Sequence, residues 1–259
     1  MMPQAEIIVS GLLVGFILAF NFSHLSALIF QERSLFLRTR ICESCGSDQS
    51  LFFRFPVVGN LFRPNGCPSC GYSLPWHYAI IELLTLILSV WAFSTLSFSS
   101  ALQITILGFA LLGASYFDLK KWIIPNAFVL FVLLVVLIGW VTDYFNLYFS
   151  GTGLIVGAVV SLFIILPQRF GGGDKTIALG DVKLVLALSL WLGWVLSIYV
   201  FFLASILGFA YWVFSGFFRG FSTERRVPFG PFVALSTMIF GIGRVLDPQF
   251  VTHLLTFRF

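Results

Sequence analysis

The sequence predicts an all-α polytopic membrane protein of about eight transmembrane helices, with a cytoplasmic zinc-ribbon-like insertion between the first two. Three observations predict it. Of 259 residues, 59% are hydrophobic and only 10% charged, whereas soluble domains carry about 25% charged residues. The apolar residues gather in runs long enough to cross a bilayer. The basic residues gather between alternate runs.

A spanning helix needs about 20 apolar residues. Runs of this kind cover residues 7–30, 79–97, 100–117, 125–146, 151–168, 180–194, 196–216 and 229–246. The sixth is short and opens on polar residues. Four of the intervening segments hold 13 of the 15 Lys and Arg residues. Arg33, Arg38, Arg40, Arg54 and Arg63 lie in 31–78, and Lys120 and Lys121 in 118–124. Arg169, Lys175 and Lys183 lie in 169–183, and Arg219, Arg225 and Arg226 in 217–228. Only Arg244 and Arg258 fall on the other side. The positive-inside rule places the four segments in the cytoplasm and both termini outside. The net charge of +4 is therefore a topology signal and does not argue for nucleic acid. The first basic residue is Arg33, so the charged n-region of a cleavable signal peptide is not expected. The organisation is a first transmembrane helix at 1–30, a cytoplasmic loop at 31–78 and a membrane-embedded domain at 79–259.

The loop contains Cys42-Glu43-Ser44-Cys45 and Cys67-Pro68-Ser69-Cys70, which hold all four cysteines of the chain. Two CxxC pairs read as a four-thiolate metal site, because each tight turn aims two sulfurs at one ion. Zinc is the default occupant. Two disulfides are the alternative, disfavoured in a reducing cytoplasm. Four thiolates leave no open position for a substrate, so the zinc is expected to be structural.

Most acids lie in loops, but Glu82, Asp118 and Asp181 do not. Glu82 falls one turn inside the second run, where a structural or orienting role is expected. Asp118 ends the third run and Asp181 opens the sixth. Both belong to the cytoplasmic boundary, at one membrane depth on different helices. A charge at a helix centre costs roughly 2.5–3.5 kcal/mol on insertion scales, falling toward the interface. Asp118 could be an ordinary interfacial charge beside Lys120 and Lys121, and Asp181 could be a helix cap. Together, the two carboxyl groups can share one proton, one serving as general base on a water and the other as general acid. His24, His77 and His253 are scattered, and no Ser or Cys nucleophile arrangement competes.

Gly180-Asp181-Val182-Lys183-Leu184 and Asp118 with Lys120, Lys121, Ile124, Pro125 and Asn126 resemble the two active-site motifs of the type IV prepilin peptidase family. Tyr78-Ala79-Ile80-Ile81-Glu82-Leu83 and Val227-Pro228-Phe229-Gly230-Pro231-Phe232 are similar to two further family stretches, and the paired CxxC motifs fit its long cytoplasmic loop. The resemblance covers nearly the whole chain. Ala178 stands where the family's GxGD has its first glycine. A literal GxGD at Gly171-Gly172-Gly173-Asp174 lacks the following apolar-Lys-Leu, which makes Asp174 the second choice to Asp181. Gly15-Phe16-Ile17-Leu18-Ala19-Phe20-Asn21 matches the family's N-terminal element only loosely.

The resemblance implies an inner-membrane aspartic endopeptidase, with Asp118 and Asp181 as its catalytic pair. It would remove the basic leader of type IV prepilins or pseudopilins at the cytoplasmic face. It also implies N-methylation of the new N-terminal residue with S-adenosylmethionine, for which the sequence assigns no binding residues. Its partners would be prepilin substrates of pilus, secretion or competence systems and the lipid bilayer. The alternatives are a peptidase without methyl transfer, or a proton-coupled transporter with a zinc docking loop.

Overall fold

The computed structural model describes residues 4–31, 42, 45, 47, 67–72, 76–170, 179–220, 227–247 and 249–256, and all their regular structure is helical. In chain order the elements are α1 (Gln4–Gln31), α2 (Trp76–Thr95), α3 (Phe98–Lys121), α4 (Asn126–Val141), α5 (Leu147–Phe170), α6 (Leu179–Arg219), α7 (Gly230–Leu246) and α8 (Phe250–Thr256). They form two compact units, Met1–Thr105 and Ile106–Phe259, and the boundary falls inside α3.

In the first unit, α1 and α2 lie against one another on small residues. A Cβ on Gly15 would meet the Ser89 Cβ at 2.8 Å, and one on Gly11 would meet the Phe93 Cβ at 3.0 Å. The Ser89 hydroxyl donates to the Gly11 carbonyl at 2.7 Å. Lipid tails are as apolar as the helices, so close backbone approach of this kind supplies the attraction that water would otherwise supply.

The second unit repeats the device. Gly153 and Gly157 of α5 face Ser189 of α6, whose carbonyl and hydroxyl fill the space their Cβ atoms would need. Gly113 of α3 makes room for the ring of Phe128 on α4. Ser189, Ser197, Ser236 and Thr237 are fully buried. Ile155, Phe163, Phe202 and Phe217 instead point outward with most of their surface exposed. Buried hydroxyls together with large apolar side chains facing outward suit a hydrocarbon surround.

The helices follow the expected runs, with three corrections. The fourth run was expected to reach residue 146, but α4 stops at Val141. The chain turns there through Asp143, which takes a left-handed φ of 52°. The sixth and seventh runs are not two separated helices. They form α6, interrupted at Gly193 (φ 71°, ψ 179°) with no intervening loop. The division between the two runs thus falls at a single glycine in a conformation that side-chain-bearing residues avoid. Finally, α8 was not anticipated. Among the described residues, four helices are long and apolar enough to cross a membrane, or five if the bent pair α7 and α8 is one span. That count is below the expected eight for physical reasons. Leu179–Phe218 contains two of the runs, and α4, with 16 residues, is apolar but short.

Candidate functional site

Two clusters of chemically capable side chains stand out, one in each unit. In the first unit, the sulfurs of Cys42, Cys45, Cys67 and Cys70 all lie within 4.8 Å of one another. Cys42 Sγ is 3.7 Å from Cys70 Sγ, and Cys45 Sγ is 3.7 Å from Cys67 Sγ. A tetrahedron with metal–sulfur bonds of about 2.3 Å has edges of about 3.8 Å. The sulfurs are thus spaced for one tetrahedral ion and too far apart for disulfide bonds. Each half is a local turn. The Cys42 amide donates to the Ser47 carbonyl and the Cys67 amide to the Tyr72 carbonyl, both at 2.8 Å. Gly71 takes the left-handed φ of 71° that lets the second turn close. The Ser47 hydroxyl lies 3.1 Å from Cys45 Sγ and 3.3 Å from Cys67 Sγ. By hydrogen bonding, it lowers the Cys45 thiol and brings the Cys67 thiol down from 9.0 to about 5. The site is therefore prepared to present thiolates, the form that binds metal.

The second cluster joins three distant parts of the chain at the ends of α3, α6 and α7. Asp118 lies in the last turn of α3 and is only 5% exposed. A carboxylate near a helix C-terminus meets the unfavourable end of its own helix dipole. Here the opposite end of another helix offsets that. The amide of Gly230, the first residue of α7, donates to Asp118 Oδ2 at 2.7 Å. A Cβ on Gly230 would stand 3.0 Å from that same oxygen, so only glycine brings the amide this close without displacing the carboxyl group. After Asp118 the helix ends where Trp122 adopts φ 59°. This left-handed stop redirects the chain into Ile123-Ile124-Pro125, and Pro125 caps α4 in an extended conformation.

Asp181 sits in the first turn of α6, where the dipole favours a negative charge. Gly180 lets this turn press onto the Ile124 segment, since a Cβ there would meet the Ile124 amide nitrogen at 3.2 Å. Lys183 reaches across and donates to Asn126 Oδ1 at 3.2 Å. These two contacts fasten the start of α6 to the turn that follows Asp118. The two carboxyl groups are close enough for the charge on Asp118 to act on Asp181.

The structure thus brings Asp118 and Asp181 together, and separately brings the four cysteines together. Glu82 is buried on α2 at 2% exposure. Asp174, the second choice to Asp181, and Ala178 lie outside the described residues. The Gly230 amide was not anticipated as a partner for Asp118, although its motif was noted, because a backbone donor has no residue type to betray it.

Comparison with known proteins decides the family. Residues 104–213, which carry both aspartates, match the type IV leader peptidase family. Residues 9–96, which carry all four cysteines, match the bacterial peptidase A24 N-terminal domain. A prepilin leader peptidase/N-methyltransferase of Dichelobacter nodosus is 32% identical over 228 residues, covering 82% of this chain and 74% of that protein. The chain belongs to the type IV leader peptidase family. Similar proteins of the same name occur in Aeromonas salmonicida, at 26% identity over 81% of this chain and 72% of the relative. Another, in Pseudomonas aeruginosa, shows 27% identity over 80% and 72%. No solved structure matches this chain. Family membership agrees with the several apolar helices described above and makes this a membrane protein of a peptidase family.

Proposed function

We propose that this protein is an aspartic prepilin peptidase of the inner membrane that cuts the basic leader from type IV prepilins or pseudopilins at the cytoplasmic face. The single observation that carries the reading is the convergence of Asp118 and Asp181 at the helix ends that bear Lys120, Lys121 and Lys183. In an eight-span topology those ends face the cytoplasm. A prepilin offers a basic leader in water and an apolar helix in lipid, so its scissile bond lies at the same boundary. Insertion of the substrate fixes the height of that bond and lowers the orientational cost of reaction.

The chemistry follows from two carboxyl groups that share a proton. One takes a proton from water as the water oxygen bonds to the scissile carbonyl carbon. The other gives its proton to the amide nitrogen as the carbon–nitrogen bond breaks. The Gly230 amide holds Asp118 Oδ2, which leaves Oδ1 for the reaction. The Lys183–Asn126 bond holds Asp181 in register with it. A proton-coupled transporter would need a chain of acids across the bilayer, whereas these two acids share one end of the helices.

The four cysteines fit a structural zinc ion by donor type, spacing and readiness to ionise. Cys42, Cys45, Cys67 and Cys70 would ligate it, and the ion would pin two sequence-distant turns together without chemistry of its own. The name of the relatives extends the reading to methylation of the new N-terminus with S-adenosylmethionine. An open groove of about 450 Å³ between α5 and α6 is lined by Ile155, Val159, Phe163, Phe202 and other apolar side chains, with Ser205 as the only polar one. It does not fit a cofactor with a ribose diol and a cationic sulfonium, so no methyl-transfer step is assigned to it.

The test is Asp118→Asn and Asp181→Asn, each assayed on a prepilin in native membranes. Each variant is expected to lose cleavage by about a thousandfold or more. Wild-type processing by either variant would sink the assignment. Mass spectrometry of the processed N-terminus reports methyl transfer separately.

A further inference from the structure

Resting on that reading, we propose that Arg244 is a positioning residue for the aspartate pair, acting from the far end of α7 by pinning the broken end of the half-helix that carries Asp181. The argument starts from the break. At Gly193 the backbone leaves helical geometry, so carbonyls in the preceding turn lose their regular amide donors. One of them, Trp191, accepts a hydrogen bond from Arg244 Nη1 at 2.7 Å.

Arg244 is built in. Its guanidinium stands 4.5 Å from the ring centre of Phe149, 5.0 Å from Tyr144, 5.5 Å from Phe145 and 5.7 Å from Trp191. Among the described residues no carboxylate pairs with it. A cation inside a membrane protein without an acid beside it is costly unless it has a task. Here four ring faces and a freed carbonyl replace the counter-ion. The surroundings are shaped to keep it so. A Cβ on Gly193 would collide with the Phe149 ring, and one on Gly241 would meet the Trp191 ring at 2.8 Å.

The consequence lies in what α7 connects. Gly230, Ala234, Thr237, Gly241 and Arg244 recur at intervals of three and four, which puts them on one face of the helix. At one end of this face the Gly230 amide holds Asp118. At the other end, about 21 Å away at 1.5 Å per residue, Arg244 holds Trp191. Trp191 ends the half-helix whose first turn bears Asp181. One rigid helix therefore grips both carboxyl groups, Asp118 directly and Asp181 through the length of its own half-helix. Arg244 sets how far apart the two stand.

The experiment uses the full chain in membranes, with Arg244→Met and Arg244→Lys. Lys120, Lys121 and Lys183, the charged groups among the described residues at the same helix ends, are unchanged in both. For Arg244→Met the expected result is a fall in kcat of about tenfold to a hundredfold with KM nearly unchanged, since small misplacement is costly to rate. The bell of kcat against pH is also expected to narrow, because its width reports the coupling of the two carboxyl groups and that coupling weakens as they separate. Loss of folded protein alone would lower the height of the bell and leave its width. Arg244→Lys keeps the charge without the planar fork and is expected to narrow the bell less. Hydrogen exchange supplies a readout independent of the reaction. Amides of residues 184–192 are expected to exchange about tenfold faster in Arg244→Met. Wild-type bell width and wild-type exchange in that variant would overturn the proposal. Where Arg244→Met does not accumulate, wild-type values in Arg244→Lys would do so. Failure of the aspartate reading shows differently, as cleavage that survives Asp118→Asn or Asp181→Asn, and the exchange measurement still decides whether Arg244 pins the half-helix.

Discussion

The cysteine cluster and the aspartate cluster are built on opposite plans. Each half of the cysteine site is a turn closed over about five residues, by the Cys42–Ser47 and Cys67–Tyr72 backbone bonds. Four chemically equivalent atoms then meet, and a bound ion would supply the closing force. The aspartate site has no local unit. Asp118 is held by an amide 112 residues away, and Lys183 is held by Asn126, 57 residues away. Its closing force is the packing of helices on glycine and serine. A site made of turns is robust to what happens elsewhere but depends on its ion. A site made of helix ends needs no ion but depends on every contact that sets the helices.

That contrast can be broken by experiments that perturb one region and read both. The largest expected effect is from Asp118→Asn or Asp181→Asn, in which cleavage falls about a thousandfold or more while metal content per chain stays at the wild-type value. A drop in bound metal would mean the regions are not independent. Next is Cys42→Ser combined with Cys67→Ser, or exhaustive chelation. Bound metal is expected to vanish and the turn at residues 67–72 to become sensitive to protease, while leader cleavage survives at about a tenth of the wild-type rate or better. Complete loss of cleavage would give the metal a part in the reaction.

A smaller effect is expected from Gly230→Ala. The added Cβ would stand 3.0 Å from Asp118 Oδ2, and the displaced carboxyl group should lower kcat by about tenfold with no change in metal affinity. Ser47→Ala is the mirror experiment. With Ser47 present, the Cys67 thiol ionises at about 5, well below its ordinary 9.0. Above about pH 6 an incoming ion therefore displaces no proton from Cys67. Without the hydroxyl the thiol moves back up, a proton must leave, and metal affinity near neutral pH should fall about tenfold. The deficit should close as pH rises past the ordinary thiol value. A metal titration across pH checks this, and a constant deficit at all pH values would refute it. The smallest effect belongs to Asn126→Ala. It removes one exposed hydrogen bond to Lys183 and should lower kcat about two- to fivefold.

How much of this was legible in the sequence follows the same division. The cysteine turns announce themselves because both ligands of a pair sit three residues apart, and spacing is what a sequence displays. The apolar runs announce the helices because composition alone marks a span. The juxtaposition of Asp118 with Asp181 was reached through shared membrane depth, a one-dimensional clue to a three-dimensional contact, and through the resemblance of both stretches to family active-site motifs. Three features escaped. The Gly230 amide is backbone and carries no signature. The break at Gly193 hides because one glycine amid apolar residues looks like any membrane helix. Arg244 was visible as a lone basic residue in an apolar run, but its cage comes from Tyr144, Phe145, Phe149 and Trp191, which no periodicity groups together.

The break at Gly193 also bears on the lipid. Residues 179–192 make a half-helix of about 21 Å at 1.5 Å per residue, and α4, with 16 residues, is about 24 Å long. The hydrocarbon core of a bilayer is about 30 Å thick. A mismatch of several ångströms is met by local thinning, which costs fractions of a kcal/mol per Å. Thinning beside these two helices would carry headgroups and water inward toward Asp181 and the Ile124 turn. The shortness of the half-helix would thereby bring solvent to the acid pair, as the proposed hydrolysis requires.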